Sequence, residues 1–330
     1  MNDSDICFFE RPFPSANMVL IKDRRPTLID AGFGSETEET VRLIRDAGVE
    51  PAHLDMIVNT HFHSDHIGGN CHFQNEYGVP IAAHKWEADL VNVRHPEVCS
   101  AEWLDQPVEP YSVDRRLSDG DEIHTGSRTF QVLFTPGHSS GHISLYEPDE
   151  KVLIAGDLFH KHDLGWLNMY REGVTALHRA LESLDRVATL PIRVAYSGHG
   201  PAMDNPGAAI DGARRRLEKW LIAPEKLAWH GCKRIFSFAL MIRNGLEKEK
   251  VERYLLSCPW FHDYARHSFR LEPEAFVHAL VDEMIRSGAA DWHSDRLIAA
   301  TPHQLTSASW FEENNIRPGD WPASELSFRK

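Results

Sequence analysis

The stretch Thr60-His61-Phe62-His63-Ser64-Asp65-His66, followed at once by Ile67-Gly68-Gly69, decides how this chain is read. Residues two apart in an extended segment point to the same side, so His61 and His63 can grip one ion together. As the chain turns into a helix, Asp65 and His66 face a neighbouring ion, and the two glycines let the backbone come close to the site. Imidazole and carboxylate donors without a thiolate suit zinc, and also iron or manganese. A histidine-rich surface loop is the plain alternative to a metal site, and one motif does not dismiss it.

The motif does not stand alone. His138 arrives in Thr135-Pro136-Gly137-His138-Ser139-Ser140-Gly141-His142, Asp157 in Ala155-Gly156-Asp157-Leu158-Phe159, and His199 in Ser197-Gly198-His199-Gly200-Pro201. A short apolar run precedes each. Met56–Val58 leads to His61, alternating Phe130, Val132 and Phe134 lead to His138, Val152–Ala155 leads to Asp157, and Val194–Tyr196 leads to His199. Every candidate ligand therefore follows the end of a predicted strand. Strand ends converge on one sheet edge, where α/β proteins put their chemistry.

Outward from these motifs, Met18–Ile21 and Thr27–Ile29 read as a hairpin around the polar turn Lys22–Pro26. Ser35 with Glu38 reads as a capping box opening a helix, with Val41 and Ile44 as its apolar stripe and Gly48 as its stop. Val174, Leu177, Leu181 and Leu184 have helical spacing. Beyond about residue 205, Arg214–Arg216 and Trp220–Ile222 suggest a connecting helix, and helices are predicted over Pro224–Ile242, Glu247–Leu256 and Pro273–Arg286. A small hairpin over Ala289–Ala300 would follow, which gives a winged-helix-like pattern. The expected organisation is a catalytic domain over residues 1–210 and a smaller, mostly helical one over 211–330.

Bulk properties narrow the function. The chain has 330 residues, 42% hydrophobic and 25% charged, enough for a sizeable core. A net charge of −14 argues against nucleic acid and against anionic membranes as partners. Five scattered cysteines and no CxxC exclude a disulfide framework or a thiolate zinc knuckle. The acidic start is unlike a signal peptide, and no apolar run is long enough to span a bilayer, so a reducing cytoplasm is expected. Twenty histidines, several in turns beside Gly, Asp and Thr, mark where function lies.

The four motifs, in this order and with the Leu28-Ile29-Asp30-Ala31-Gly32 segment upstream, resemble the metallo-β-lactamase superfamily over roughly residues 8 to 205. The resemblance implies an α/β fold, an αββα sandwich with the site at one edge. It implies that His61, His63 and His138 hold one metal, that Asp65, His66 and His199 hold a second, and that Asp157 bridges them. Two zinc ions, or iron or manganese, about 3.5–4 Å apart would share a hydroxide as nucleophile, with Asp65 orienting it or accepting its proton. True β-lactamases of the superfamily generally lack the bridging Asp and many use Cys. Flavodiiron proteins carry Glu where His63 stands, so neither activity is expected.

Several residues get weaker readings. His142 reads as a supporting histidine, His160 and His162 as solvated loop histidines or substrate contacts, and Tyr170 as either a packing residue or an oxyanion donor. The segment Ala213–Arg253 has eleven Lys/Arg against five Asp/Glu, either a solvated helix face or a surface that holds an anionic substrate handle. The expected activity is hydrolysis of a small acyl compound, a thioester, lactone or ester, with a homodimer left open. Glyoxalase II uses a helical C-terminal addition to hold glutathione, but no glutathione-binding pattern is recognised here. The alternatives are a mononuclear iron enzyme like the persulfide dioxygenases, a phosphodiesterase or nuclease, and a ligand-binding regulator.

Overall fold

Six short strands lie side by side in chain order in a first sheet: β1 (Ile6–Phe9), β2 (Met18–Ile21), β3 (Thr27–Ile29), β4 (Met56–Val58), β5 (Ile81–His84) and β6 (Arg115–Leu117). The computed structural model describes residues 5–170, 175–314 and 317–322. The first three strands are antiparallel and the last three join in parallel. Parallel neighbours need crossovers. These contain helices α1 (Thr37–Asp46), α2 (Ser64–Ile67), α3 (Asn70–Tyr77), α4 (Lys85–Asn92) and α5 (Ala101–Leu104).

The second sheet is also sequential: β7 (Glu122–His124), β8 (Thr129–Phe134), β9 (Ile143–Glu147), β10 (Val152–Gly156), β11 (Val194–Ser197) and β12 (Met203–Asp204). Only β10 and β11 pair in parallel, across the connection that carries α6 (Thr175–Ala188). Val174, assigned to that helix from its spacing, lies outside the described residues, as do residues 1–4 of the acidic start.

Burial explains the layering. Val19, Ile21, Ile29, Val58 and Ala82 from the first sheet pack against Ile123, Phe130, Val132, Leu145 and Ile154 from the second. The outer face of the first sheet is covered by a cluster that includes Val41, Ile44, Phe73 and Val91. That of the second is covered through Leu177, Leu184, Ile210 and Leu217, the last two from α7 (Gly207–Ile222). Helix, sheet, sheet, helix is the expected sandwich.

The helical C-terminal region follows with α8 (Pro224–Ile242), β13 (Leu246–Glu247), α9 (Lys248–Ser257), α10 (Pro259–Asp263), α11 (Pro273–Arg286), β14 (Ala290–His293) and β15 (Arg296–Ala299). The three strands form a small sheet in the order β13-β15-β14. Its core reaches back into the first half, because Trp103 and Leu104 of α5 pack with Phe236, Leu240, Trp260 and Tyr264.

One local expectation fails. The helix after β3 starts at Thr37 with Glu36 at its N-cap and no side-chain cap hydrogen bond, so the capping box at Ser35 and Glu38 does not form. Ser35 falls in a 3₁₀ turn over Gly34–Glu36. The 3₁₀ turn moves the helix start past Ser35, and Glu36 at the N-cap is held in a buried ion pair with Arg11 at 2.9 Å.

Candidate metal centre

The four motif loops meet at one edge of the sandwich. Just past β4, His63 is extended (φ −69°, ψ 150°) and α2 begins at Ser64, which turns Asp65 and His66 inward. The turn is tied down from below, since Ala31 N–H donates to His66 O at 2.6 Å and Gly68 N–H donates to Gly32 O at 2.7 Å. A Cβ on Gly68 would overlap the backbone of Phe33 and Gly34, so only glycine permits this approach. Across the site, the pairing of β10 with β11 is irregular between Ile154 and Gly156. That bulge puts Asp157 beside Gly198, where any Cβ would strike the Asp157 carboxylate.

All seven candidate residues converge. His138 Nε2 lies 3.0 Å from His61 Nε2 and 2.8 Å from His63 Nδ1. His199 Nε2 lies 3.2 Å from Asp65 Oδ2, and His66 Nε2 lies 3.8 Å from the same oxygen. Asp157 stands between the two groups. Its Oδ2 is 3.6 Å from His138 Nε2 and 3.7 Å from His199 Nε2, and its Oδ1 is 3.5 Å from His66 Nε2. The donor atoms form three overlapping groups: His61, His63 and His138; His61, His66 and Asp157; Asp65, His66 and His199.

Outer hydrogen bonds aim the ring nitrogens. Asp30 accepts from His66 Nδ1 at 2.8 Å, which leaves Nε2 facing the site. The same carboxylate accepts from Thr60 Oγ1 at 2.8 Å and Thr60 N–H at 2.8 Å. Thr60 Oγ1 in turn sits 3.2 Å from His61 Nδ1. His138 Nδ1 donates to the Trp166 carbonyl at 2.6 Å. With their outer nitrogens donating, His61 and His138 point lone pairs at each other, an arrangement that a cation resolves. His66 Nε2 and Asp157 Oδ1 are buried without a well-aligned hydrogen bond. Buried polar atoms left this way call for an ion or water, and the residues fit a metal.

The electrostatics agree. Burial, then the neighbouring rings, hold His61 and His63 well below the ordinary histidine range, so both are neutral and ligand-ready. Burial also opposes a charge on His66, but Asp30, Asp65 and Asp157 together raise its pKa to about 10. Those carboxylates concentrate negative potential where a cation would replace the proton. Burial opposes the charge on Asp157 as well, yet His199, His66 and His160 keep it well below the usual carboxylate range.

Three weaker readings are settled by position. His142 is buried and supporting: its Nε2 accepts from Asp157 N–H at 3.0 Å and its Nδ1 pairs with Thr135 Oγ1 at 2.9 Å. Burial lowers its pKa to about 3, which fits the neutral ring. His160 is not a solvated loop histidine, because its Nε2 turns in to Asp157 Oδ1 at 3.3 Å. His162 stays exposed. Tyr170 is no oxyanion donor to this site, since its hydroxyl pairs with Ser268 and its ring packs with Trp103 and Tyr264. Sequence reading gave no role to Asp30, although its place between β3 and a glycine marks it.

A cavity of about 270 Å³ opens over the ligands. Its floor holds His63, Asp65, His138, Asp157 and His199. Phe13, Leu104 and Trp166 line its sides, and Ile235, Phe238 and Met241 of α8 close it from above. Phe13 stacks on His199 with ring centroids 4.6 Å apart.

Comparison with known proteins shows what this chain is similar to. The family model described as the metallo-beta-lactamase superfamily matches residues 11–199. The beta-lactamase-like protein 2 homolog of Caenorhabditis elegans is 29% identical over 56% of this chain and 55% of its own length. A hydroxyacylglutathione hydrolase from Brucella anthropi is 32% identical over 50% of this chain and 56% of its own. The chain thus spans about half the length of these relatives. The metallo-beta-lactamase family protein TTHA1429 from Thermus thermophilus shares the fold, with a TM-score of 0.56 at 24% identity, over 89% of this chain and 98% of that one.

Proposed function

The chain belongs to the metallo-beta-lactamase superfamily, whose model takes in residues 11–199 of 330, and on that premise we propose that it hydrolyses a small acyl compound, a thioester, lactone or ester, with two metal ions. The observation that carries this reading is Asp157 standing between two converging groups of donors. His61, His63 and His138 would hold one ion and Asp65, His66 and His199 the other. Zinc suits this set of imidazoles and carboxylates. Ions held there would supply Lewis acidity and lower the pKa of water.

The chain's own residues do the rest. Asp65, half-buried beside His199, is placed to take a proton as water adds to the acyl carbon and to return it to the departing oxygen or sulfur. Asp30, Thr60 and the Trp166 carbonyl keep the ligand rings from turning. The apolar sides of the cavity shed water and receive the acyl chain. A relative named for hydrolysis of hydroxyacylglutathione supports a thioester as substrate.

In the same proposal, residues 1–210 form the catalytic unit and 211–330 a covering unit, with α7 as the joint. None of the described helices is long and apolar enough to cross a membrane, and all five cysteines are unbridged, which suits a reducing cytoplasm.

Elemental analysis of protein purified without chelator or added metal tests the reading. About two zinc ions per chain, with turnover of acyl thioesters, is the expected result. One iron and little zinc would overturn it and turn the search to oxygen-dependent sulfur chemistry.

A further inference from the structure

Helix α8 brings a guanidinium to the cavity that its surroundings only partly neutralise. Arg234 lines the cavity, with 40% of its side chain open. It pairs with Asp163, but Asp163 is shared. Arg216 of α7 meets the same carboxylate at 2.6 Å, and His230 Nε2 lies 3.6 Å from it. Two guanidiniums therefore divide one carboxylate. Asp157 also favours the charge on Arg234, but the proposed ions would engage that carboxylate. Lys161 adds a second cation to the lining. A partly enclosed, under-compensated cation beside a reacting centre favours an anion from the ligand, and a guanidinium offers two parallel donors to a carboxylate or phosphate. Much of the remaining wall is apolar, with Leu104, Trp166, Ile235, Phe238 and Met241.

We propose that Arg234 is a specificity-determining residue that binds an oxyanion on the substrate, and that the substrate joins an apolar acyl chain to a part bearing a carboxylate or phosphate. The acyl half of this statement rests on the hydrolase reading. The oxyanion site does not.

The test is calorimetry on the protein as purified, with hexyl thioethers that cannot be hydrolysed. One carries a terminal carboxylate, its twin a carboxamide, and a third a phosphate. The carboxylate or the phosphate compound should bind about tenfold more tightly than the carboxamide, as a charge-assisted contact would give, and the stronger of the two identifies the handle. Arg234→Met should erase the difference. Arg216→Met, which leaves the cavity lining intact but gives Asp163 to Arg234 alone, should shrink it. Equal affinities in the unaltered protein, no binding by either anion, or a preference that survives Arg234→Met would each overturn the proposal. Turnover of the matching hexanoyl thioesters is measured separately. No turnover with the anion preference intact would sink the hydrolase reading and leave the oxyanion site standing.

Discussion

Every candidate ligand on the cavity floor comes from a segment just past a strand end in the first 199 residues, whereas the roof comes from α8, a helix with no metal-ligand motif. The floor is over-determined. Its rings and carboxylates are fixed by Asp30, by a backbone carbonyl, by His142 against the Asp157 backbone, and by glycines that tolerate no side chain. The roof offers surface and one cation. Ile235, Phe238 and Met241 could exchange for similar side chains without changing what the floor can do. The difference separates chemistry from choice: floor substitutions should remove metal and turnover, while roof substitutions should change which molecule is turned over.

The sharpest way to break this division is Asp157→Ala. Loss of the residue between the two donor groups should lower turnover by more than the roughly 10–100-fold that outer partners of metal ligands cost, and metal content should fall with it. Circular dichroism would confirm that the sandwich persists. Turnover unchanged with metal retained would end the bridging role and, with it, the contrast between floor and roof.

Asp30→Asn should come next in size. Asparagine keeps one acceptor for Thr60 N–H but can present an amide N–H to His66 Nδ1, which favours the wrong tautomer. Metal affinity measured by competition with a chelator should fall roughly 10–100-fold, with the effect confined to the ion that His66 holds. An equal loss of both ions would show that the Thr60 relay to His61 matters as much as the direct bond.

The same contrast explains what could be read from the sequence. Floor residues lie in four short segments, each behind a strand and beside a glycine, so spacing and residue type announce them. The two sheets followed from the same apolar runs. The roof carries no such signal. Arg234, Ile235, Phe238 and Met241 recur at spacings that any core-facing helix stripe shows, and Leu104 and Trp166 reach them only through the tertiary fold. His160 reads as solvated because nothing in the sequence shows the turn that points its ring back to Asp157, three residues earlier. The capping box failed because the chain takes a 3₁₀ turn over Gly34–Glu36 and the helix opens only at Thr37.

Phe13 tests where floor ends and roof begins, and its effect should be the smallest. It belongs to the catalytic half and stacks on His199 at an interplanar angle of 13°. Yet it is held by the chain beyond β15: Phe13 pairs with His303 in an isolated bridge, and its carbonyl accepts from Gln304 N–H at 2.6 Å. An aromatic stack is worth about 0.5–1.5 kcal/mol beyond its buried area, so Phe13→Ala should cost roughly two- to tenfold. If that cost falls on retention of the ion beside His199 under chelator challenge, and Phe13→Trp restores it, the C-terminal chain reaches the chemistry through this ring. If only substrate affinity moves, Phe13 is part of the roof and the division holds as drawn.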